Sequence, residues 1–475
     1  MIRLSLYSAF AVLALSYGTS AAAQDDILEL LDDRYDATAE MASTLWEYAE
    51  VGYQEEKSSA LLQEALLAEG FEIDAGVAGI PTAFVASYGS GEPVIAILAE
   101  YDALPGISQA ASAIREPIDG KNAAHACGHN LFAAGSVGAA IATKHWLEES
   151  GAPGTVRLYG TPAEEGGSGK VYLVREGLFD DVDVALHWHA SGTNTAAALT
   201  SLANRSAKFR FHGISQHAAR APERARSALD GVEAFNHMVN LMREHVPQEM
   251  RIHYVITSGG LAPNVVPDFA EVYYYVRHPD AVVVSEVWER LEDAAAGAAL
   301  GTGTEVEAEI IHGIYPVLVN ETLARMMDEK LREVGGVEYN AQEQAFAEEL
   351  HSTLVTPAFD VGSQETIQPY EVSIGFASTD VGDVSMAVPT VGLRVATWVP
   401  GTTSHSWQAA AASGTSIGFK GAHNAAKTLT LAAIELFGNE ALREAARAEH
   451  REKRGPDFRY EPLLGDRDPP LDYRN

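Results

Sequence analysis

Residues 93–102 read PVIAILAEYD, a continuous apolar run that ends in two acidic side chains. A run without polar alternation is typical of a strand that is buried on both faces within a parallel sheet. Glu100 and Asp102 would then lie at the carboxyl end of that strand, where open α/β sheets build their sites. The run therefore predicts an α/β fold with a functional site at this edge of the sheet.

Helical and strand patterns alternate on either side of this run. We predict helices over 33–50, 57–69, 130–149 and 417–436, and strands over 155–159, 182–187 and 391–395. Together they predict a catalytic domain, residues 24–202 and 318–448, with a mainly parallel sheet flanked by helices. Residues 337–371 are polar and fit neither pattern well, and we expect them to add a helix and a loop.

Residues 203–317 interrupt this alternation with a different order of elements. We predict strands over 207–211, 251–256, 270–277 and 306–311, with helices over 223–244 and 282–298. This βαββαβ order is that of a ferredoxin-like module. Because the α/β pattern resumes after it, we expect an inserted domain.

Both ends of the chain are expected to lie outside the folded domains. Residues 1–23 combine Arg3, an apolar stretch and a small-residue site that ends at Ala23, which is the pattern of a signal peptide. Such a signal would direct export to the periplasm, and its cleavage after Ala23 would leave 475 − 23 = 452 residues. Residues 449–475 are charged and contain proline, so we expect a tail that is poorly ordered or lies on the surface.

The formal net charge of −33 excludes some classes of partner. Nothing in so acidic a chain would neutralise the phosphates of a nucleic acid, and docking on anionic lipid is disfavoured for the same reason. No segment after the signal peptide is long and apolar enough to cross a bilayer. An apolar content of 47% is that of a globular enzyme with a sizeable core.

The only cysteine of the chain lies in the stretch HACGHN at residues 125–130. Cys127 and His129 flank Gly128, which permits a tight turn, so both side chains can converge on one ion. A small buried core residue is the plain alternative for a lone cysteine. The neighbouring histidines favour a metal-bound thiolate, because a thiolate, imidazoles and carboxylates together can bind two neighbouring divalent metals.

Further candidate ligands follow the later strands. Glu164 and Glu165 are adjacent and would point apart, so one can bind metal while the other serves as a base; without this context they would be an ordinary acidic turn. His187 and His189 share one side of a strand, and at most one is expected to be a direct ligand. His405 lies in a loop before the last helix, and its spacing alone would not select it.

Together these motifs resemble the aminoacylase/carboxypeptidase metallohydrolase family. The stretches HACGH at 125–129, TPAEEGG at 161–167 and PNVVPD at 263–268 carry the resemblance, which covers nearly the whole chain after the signal peptide. Within the family the chain is similar to the amidohydrolase branch, which includes p-aminobenzoyl-glutamate and indoleacetyl-amino-acid hydrolases. STDVGD at 378–383 and HSWQ at 405–408 resemble the p-aminobenzoyl-glutamate group in particular. Asn130 stands where the indoleacetyl-type relatives carry aspartate, which weakens any transfer of their substrate preference.

The resemblance implies roles for individual residues. The implied metal ligands are Cys127, His129, Glu165, His187 and His405. Glu164 is implied as the general base, and His217 as a residue that reaches the active site of a partner subunit. Asn264 and Arg277 are implied to hold the substrate carboxylate, although on spacing alone all three residues of the inserted domain read as surface residues. A homodimer joined through this domain, which also serves as a lid, is implied as well.

The same resemblance implies the reaction. It is hydrolysis of the amide bond of N-acyl or N-aroyl amino acids by metal-activated water, with two divalent metal ions per subunit. Cysteine ligation favours zinc, whereas the family favours manganese. A metallo-dipeptidase of the same fold is the alternative enzyme. A binding protein that has lost catalysis is a third hypothesis, against which the intact pair Glu164 and Glu165 argues.

Overall fold

The computed structural model describes residues 21–196 and 198–474. Over these residues the strands are β1 (Glu72–Ala75), β2 (Phe84–Ser90), β3 (Val94–Ala99), β4 (Leu104–Pro105), β5 (Ala123–Ala124), β6 (Gly154–Gly160), β7 (Val184–Ser191), β8 (Thr195–Ala196), β9 (Ala203–His212), β10 (Arg251–Ser258), β11 (Phe269–His278), β12 (Glu305–Ile314) and β13 (Thr390–Ala396). The helices are α1 (Ala21–Asp33), α2 (Tyr35–Tyr48), α3 (Glu56–Ala68), α4 (His129–Ser150), α5 (Gly169–Arg175), α6 (Ala228–Met242), α7 (Ala281–Thr302), α8 (Glu321–Val334), α9 (Ala341–His351), α10 (Val381–Ala387), α11 (Trp407–Ser413), α12 (Ser416–Gly438) and α13 (Glu440–Arg454).

The larger sheet has the strand order β1-β2-β6-β3-β7-β13-β8. Its central strands β6, β3, β7 and β13 are parallel to one another, whereas the pairings of β1, β2 and β8 are antiparallel. Every residue of β3 is buried, because this apolar strand has parallel neighbours on both sides and helices α4 and α12 against the sheet. The predicted α/β class with a mainly parallel sheet is therefore confirmed.

A separate antiparallel sheet has the order β10-β11-β9-β12. Along the chain the elements follow as β9, α6, β10, β11, α7 and β12, which confirms the predicted βαββαβ module. Phe209, Phe235, Tyr274 and Trp288 form the centre of its own core, against which α6 and α7 pack. Side chains that alternate with this core along the strands point to the opposite face, which is turned towards the larger sheet.

The bounds of several predicted elements differ by a few residues from the observed ones, and one difference has a clear physical cause. The helix predicted over 223–244 begins only at Ala228, because the Ser227 hydroxyl accepts a hydrogen bond from the Asp230 amide at 3.1 Å and caps α6 there. The residues before it form a separate 3₁₀ turn, Pro222–Arg224. The polar stretch 337–371 holds a helix, α9, and a loop, as expected, and the loop contains the short 3₁₀ turn Ser363–Glu365.

The end of the described chain packs against both domains. The predicted boundary at residue 449 falls inside α13, and the residues after this helix, 455–474, form a segment that we call the strap. Leu464 is 2% exposed and Leu463 is 9% exposed. This packing agrees with a segment that lies on the surface of the domains rather than with a poorly ordered tail.

The predicted signal peptide, residues 1–23, lies outside the described residues except for its last three. Helix α1 begins at Ala21 and runs through the predicted cleavage point after Ala23. Export therefore stays a prediction. Among the helices that the structure describes, none is long and apolar enough to span a membrane.

Candidate metal centre and active-site cavity

A tight turn at the start of α4 holds Cys127 and His129 together. Gly128 has a φ of 76°, a left-handed conformation that glycine adopts without strain. A Cβ at this position would lie 2.5 Å from the Cβ of Ala190 on β7. The turn therefore packs directly against the strand that carries the two candidate histidines, and it brings ligands from two elements together.

His129 is fully buried, and acids from the end of β3 orient its ring. Its Nδ1 lies 3.0 Å from Asp102 Oδ1, and its Nε2 lies 3.1 Å from Glu100 Oε2. Burial disfavours the charged ring, but the neighbouring Cys127 and Glu100 outweigh it and raise the pKa of His129 well above its usual value. A carboxylate that accepts the Nδ1 proton leaves Nε2 as the ligand atom, which is the usual arrangement of metal-binding histidines.

Among the described residues, three groups of side chains could hold a metal ion, each with its ligand atoms within 4.8 Å of one another. Cys127 belongs to two of them, with His129 and His189 in one group and Glu165 and His405 in the other. Cys127 Sγ lies 3.5 Å from His189 Nε2, and His405 Nε2 lies 3.2 Å from Glu165 Oε1. The shared thiol places the two groups side by side.

The geometry does not support the expectation that His187 is the strand ligand. His189 lies with Cys127 and His129, whereas His187 belongs to no ligand group among the described residues. The His187 ring packs instead against Gly392 of β13, where a Cβ would be 2.3 Å from it. Residues two apart on a strand share a face but are separated by roughly 7 Å along it, so only one of them can reach the turn.

Glu164 lies beside the ligand groups and forms the third group with Glu100 and His129. Its Oε2 is 4.0 Å from His129 Nε2. Burial, and then the charges of Glu100 and Glu165, raise the pKa of Glu164 well above its usual value. A carboxylate with a raised pKa is a stronger proton acceptor than an ordinary one, as a general base requires. Glu165 points to His405 instead, so the two adjacent acids have different partners.

Two acidic side chains from other parts of the chain hold the loop of Glu164 and Glu165 by hydrogen bonds. The sequence did not predict these contacts. Glu55 Oε1 accepts a hydrogen bond from the Ala163 amide at 2.9 Å, and Asp102 Oδ2 accepts one from the Glu165 amide at 2.9 Å. Ala163 has a φ of 58°, a strained conformation for a residue with a Cβ. Asp102 was recognisable as a polar strand end, whereas nothing in the sequence distinguished Glu55.

A buried cation offsets part of the acidic charge. Lys170 Nζ lies 2.7 Å from Glu100 Oε1 and 2.7 Å from Asp380 Oδ1, and all three side chains are buried. Burial lowers the pKa of Lys170, but Asp380 and Glu100 outweigh it and raise the pKa. The lysine therefore stays charged and fixes one oxygen of Glu100. No sequence motif indicated this role for Lys170, because its partners are distant along the chain.

Divalent metals fit the remaining ligand atoms. Glu100 Oε2 and His129 Nε2 face each other, and Glu165 Oε1 faces His405 Nε2, yet none of these three buried atoms forms a hydrogen bond with a described residue. Buried polar atoms are rarely left unsatisfied, because each costs free energy of desolvation. A thiol, imidazoles and carboxylates around these atoms are a donor set that suits zinc or manganese, and two such ions would satisfy the atoms and balance the acids.

The ligand groups open into a cavity of about 1070 Å³ between the two sheets, with the strap along one side. Five basic side chains line it: Lys208, Arg210, Arg277, Arg394 and Arg474. Arg210 is paired with Glu271 and Glu309, at 2.7 Å and 2.6 Å. Arg277 and Arg394 have no ion-pair partner among the described residues. Unpaired guanidinium groups in a cavity fit a ligand that carries carboxylates.

Two of the three residues expected to contact substrate do not line this cavity. His217 and Asn264 are exposed and lie on adjoining loops, where the Ala218 amide donates to the Asn264 carbonyl at 3.0 Å. Arg277 does face the cavity of its own chain. If His217 and Asn264 contact substrate, they would therefore do so in the active site of another copy of the chain.

Comparisons with known proteins agree with this architecture. The peptidase family M20/M25/M40 matches residues 96–408. One of the p-aminobenzoyl-glutamate hydrolase subunits of Escherichia coli (strain K12) is 40% identical over 90% of this chain and 94% of its own length. The Xaa-Arg dipeptidase of Mus musculus is 29% identical over 91% of this chain and 94% of its own length.

Solved structures share the fold at lower identity. The aminobenzoyl-glutamate utilization protein from Klebsiella pneumoniae superposes with a TM-score of 0.59 at 17% identity, over 86% of this chain and 97% of its own. A dinuclear metal-binding peptidase of the M20 family from Bacillus subtilis gives 0.58 at 18% identity, over 85% of this chain and 99% of its own.

The parallel-sheet domain, the clustered ligand groups with Glu164 beside them and the inserted antiparallel domain define a metal-dependent hydrolase of amide bonds. The chain belongs to peptidase family M20/M25/M40, and its relatives include p-aminobenzoyl-glutamate hydrolase. The family resemblance stated from the sequence is therefore confirmed, and the fold family implies divalent metals at this site.

Proposed function

We propose that the protein cleaves N-acyl or N-aroyl amino acids of the p-aminobenzoyl-glutamate type and releases the free amino acid. One observation carries this proposal. Glu164, a carboxyl with a raised pKa, lies beside the ligand groups on a cavity in which Arg277 and Arg394 have no ion-pair partner among the described residues. The name of the Escherichia coli relative supports an aroyl amino acid as the substrate class.

The chain's own residues can carry out the proton transfers of this reaction. Cys127, His129, Glu165, His189 and His405 would hold two divalent ions, which supply polarisation of the scissile carbonyl and activation of water. Glu164 takes a proton from the attacking water and passes it to the leaving nitrogen. The amide C–N bond is thereby replaced by a carboxylate and a free amine. Arg277 and Arg394 bind carboxylate of the amino-acid part.

Amino-acid release from a mixed substrate panel tests the proposed substrate class. The panel contains aroyl-glutamates, aliphatic acyl amino acids and dipeptides, offered to protein loaded with manganese or with zinc. We expect release from the acyl and aroyl conjugates. Release mainly from dipeptides would support the alternative metallo-dipeptidase, to which the dipeptidase relative points less strongly at 29% identity. No release at confirmed metal content would overturn both.

Replacing Glu164 tests its role as the base. We expect Glu164→Gln to lower kcat by about 10²- to 10⁴-fold, the range for loss of a general base, because an amide cannot accept the proton. Metal content should be unchanged, since the substitution alters none of the five proposed ligands: Cys127, His129, Glu165, His189 and His405. Single-turnover kinetics with metal analysis measure both, and near-normal turnover would refute the assignment.

The proposal extends to assembly and location. We infer a homodimer through the inserted domain, since edge strand β10 exposes Tyr254, Val255 and Ile256. Light scattering should give twice the chain mass. A monomer that pairs only with a second gene product would instead match the two relatives that are named as different subunits of one hydrolase.

We also infer export. A mature N-terminus at Gln24, found by mass spectrometry of periplasmic material, would support export, whereas an intact Met1 would refute it.

A further inference from the structure

The strap connects the two domains before it reaches the metal-binding loop. Leu463 packs in the core of the inserted domain, and the next residue, Leu464, packs in the core of the larger domain. Arg467 Nη2 lies 3.7 Å from Glu309 on β12, while its carbonyl accepts a hydrogen bond from Arg175 of α5 at 2.7 Å. The strap is thus fixed to both domains along its course.

The end of the strap contacts the loop of Glu164 and Glu165 directly. The Tyr473 hydroxyl donates to the Glu165 carbonyl at 3.2 Å, and the Arg474 guanidinium donates to the same oxygen. The Tyr473 ring also packs edge-on against Tyr53 at 5.6 Å between centroids. Tyr53 in turn donates to the Gly167 carbonyl at 2.6 Å. Two strap residues and one residue of the larger domain therefore hold the loop at successive points.

The loop needs such external contacts because its backbone is strained. Ala163 and Ser168 have φ values of 58° and 61°, although neither is glycine. Strained conformations persist only where the surroundings hold them in place. Asp102 accepts from the amide of Glu165, so the strap supplies the matching contact on the carbonyl of the same residue. Between them these contacts fix the peptide units on either side of a ligand residue.

We propose that Tyr473 and Arg474 are positioning residues of the active site. They hold the Glu165 carbonyl, and through it they set the places of the Glu165 ligand and the adjacent Glu164 carboxylate. Pro470, Asp472, Tyr473 and Arg474 also line the cavity, so the strap forms one of its walls. The strap lies beyond residues 96–408, the part of the chain that matches the family model. The effect on turnover rests on the proposed function, whereas the effect on loop mobility does not.

Amide hydrogen exchange of the full chain tests the positioning role without any substrate. The double variant Tyr473→Phe with Arg474→Gln loses both donors to the loop. We expect exchange over residues 161–169 to become about tenfold faster, because local opening is no longer opposed by two hydrogen bonds. Exchange in β9, within the inserted domain, should stay unchanged. Arg459→Gln is the matched control, since Arg459 is an exposed strap residue, and it should match the wild type throughout.

Kinetics of the same proteins supply the second readout. We expect kcat of the double variant to fall about tenfold or more while KM and metal content change less than about twofold, because small misplacements of reacting groups lower the rate steeply. If the double variant does not fold, Tyr473→Phe alone gives both readouts. Unchanged exchange in the loop would overturn the proposal whatever the activity. Faster exchange in a protein with no turnover on any substrate would instead uphold the positioning role and count against the proposed function.

Discussion

One buried carboxylate, Asp102, orients residues of the two ligand groups that share Cys127. Its Oδ1 lies 3.0 Å from His129 Nδ1, and its Oδ2 accepts from the Glu165 amide at 2.9 Å. Burial opposes the charged form, but the hydrogen bond and charge of His129 outweigh it and keep the pKa of Asp102 below its usual value. An ionised acid in this place fixes the histidine tautomer and the loop backbone together.

The two histidines of β7 should differ sharply in metal binding. We expect His189→Ala to lower metal affinity at least about tenfold, because it removes a member of the group with Cys127 and His129. His187→Ala is the matched control on the same face of the same strand, and it should keep full metal content. Metal analysis after dialysis measures both. Equal losses in the two variants would restore His187 as a candidate ligand.

Glu55 should make the stability of the metal-free protein depend on pH. Burial, and then the charge of Asp102, raise the pKa of Glu55 to about 8 from a usual value of 4.5. The folded state therefore holds this proton more tightly than the unfolded state. Its stabilising contribution is complete below pH 4.5 and is lost as the pH rises towards about 8.

The variant Glu55→Gln isolates this contribution, because an amide does not titrate and can still accept from the Ala163 amide. We expect the free energy of unfolding of the wild type to fall relative to the variant between about pH 5 and 8, by at most about 1.4 kcal/mol per pH unit. Urea unfolding followed by circular dichroism measures the difference. Parallel pH profiles of the two proteins would contradict the raised pKa.

Among the secondary-structure elements, helix α4 has a glycine next to each end, Gly128 and Gly151, and the two differ in the space around them. Gly128 and Gly151 both have positive φ values, 76° and 65°. A Cβ at Gly151 would meet no atom of the described residues within 4 Å, whereas one at Gly128 would lie 2.5 Å from Ala190 Cβ. We expect Gly151→Ala to cost about 1 kcal/mol from backbone strain alone.

Gly128→Ala should cost more, because it also pushes the turn away from β7. The displacement separates Cys127 from His189, so metal content should fall as well as stability. Thermal unfolding and metal analysis of the two variants separate these effects. If Gly128→Ala keeps both metals, the close approach of the turn to β7 is not what assembles the ligand groups.

At the scale of the whole molecule, the cavity is built from three separate parts of the chain. The larger domain supplies the ligand groups, the inserted sheet supplies Arg277 and other basic residues, and the strap supplies a third wall. His217 and Asn264 remain outside this cavity, exposed on the inserted domain. The expected contribution of His217 to catalysis thus depends on assembly with a second copy.

Mixing two inactive proteins tests this dependence. We expect both single variants to be nearly inactive. Glu164→Gln lacks the base, and His217→Ala lacks the residue that each subunit of the proposed homodimer would supply to the active site of its partner. Refolded together at equal amounts, they should recover about a quarter of wild-type activity, because half of the dimers are hybrids with one intact site of two. Activity assays with mass analysis of the mixture measure this. No recovery in confirmed hybrids would place His217 in the site of its own chain or outside catalysis.

Element types and the nature of the site can be read from local patterns in the amino-acid sequence. The apolar run at 93–102 indicated a strand buried in a parallel sheet, and β3 is buried along its whole length. The βαββαβ order of the inserted domain was readable in the same way. Cys127, His129, Glu165 and His405 were named as ligands, and the structure brings them together. These features are encoded locally, in hydrophobic periodicity and in short motifs.

Which side chains meet depends on the packing of elements that are distant in the chain. His187 and His189 have the same periodicity, and the packing of one turn against β7 separates them. Glu55, Lys170 and the strap residues reach the site from positions far apart in the chain, so no spacing rule could connect them. Their roles arise from long-range packing, which brings Glu55 and Lys170 to their partners within the larger domain and the strap residues to the loop of Glu164 and Glu165.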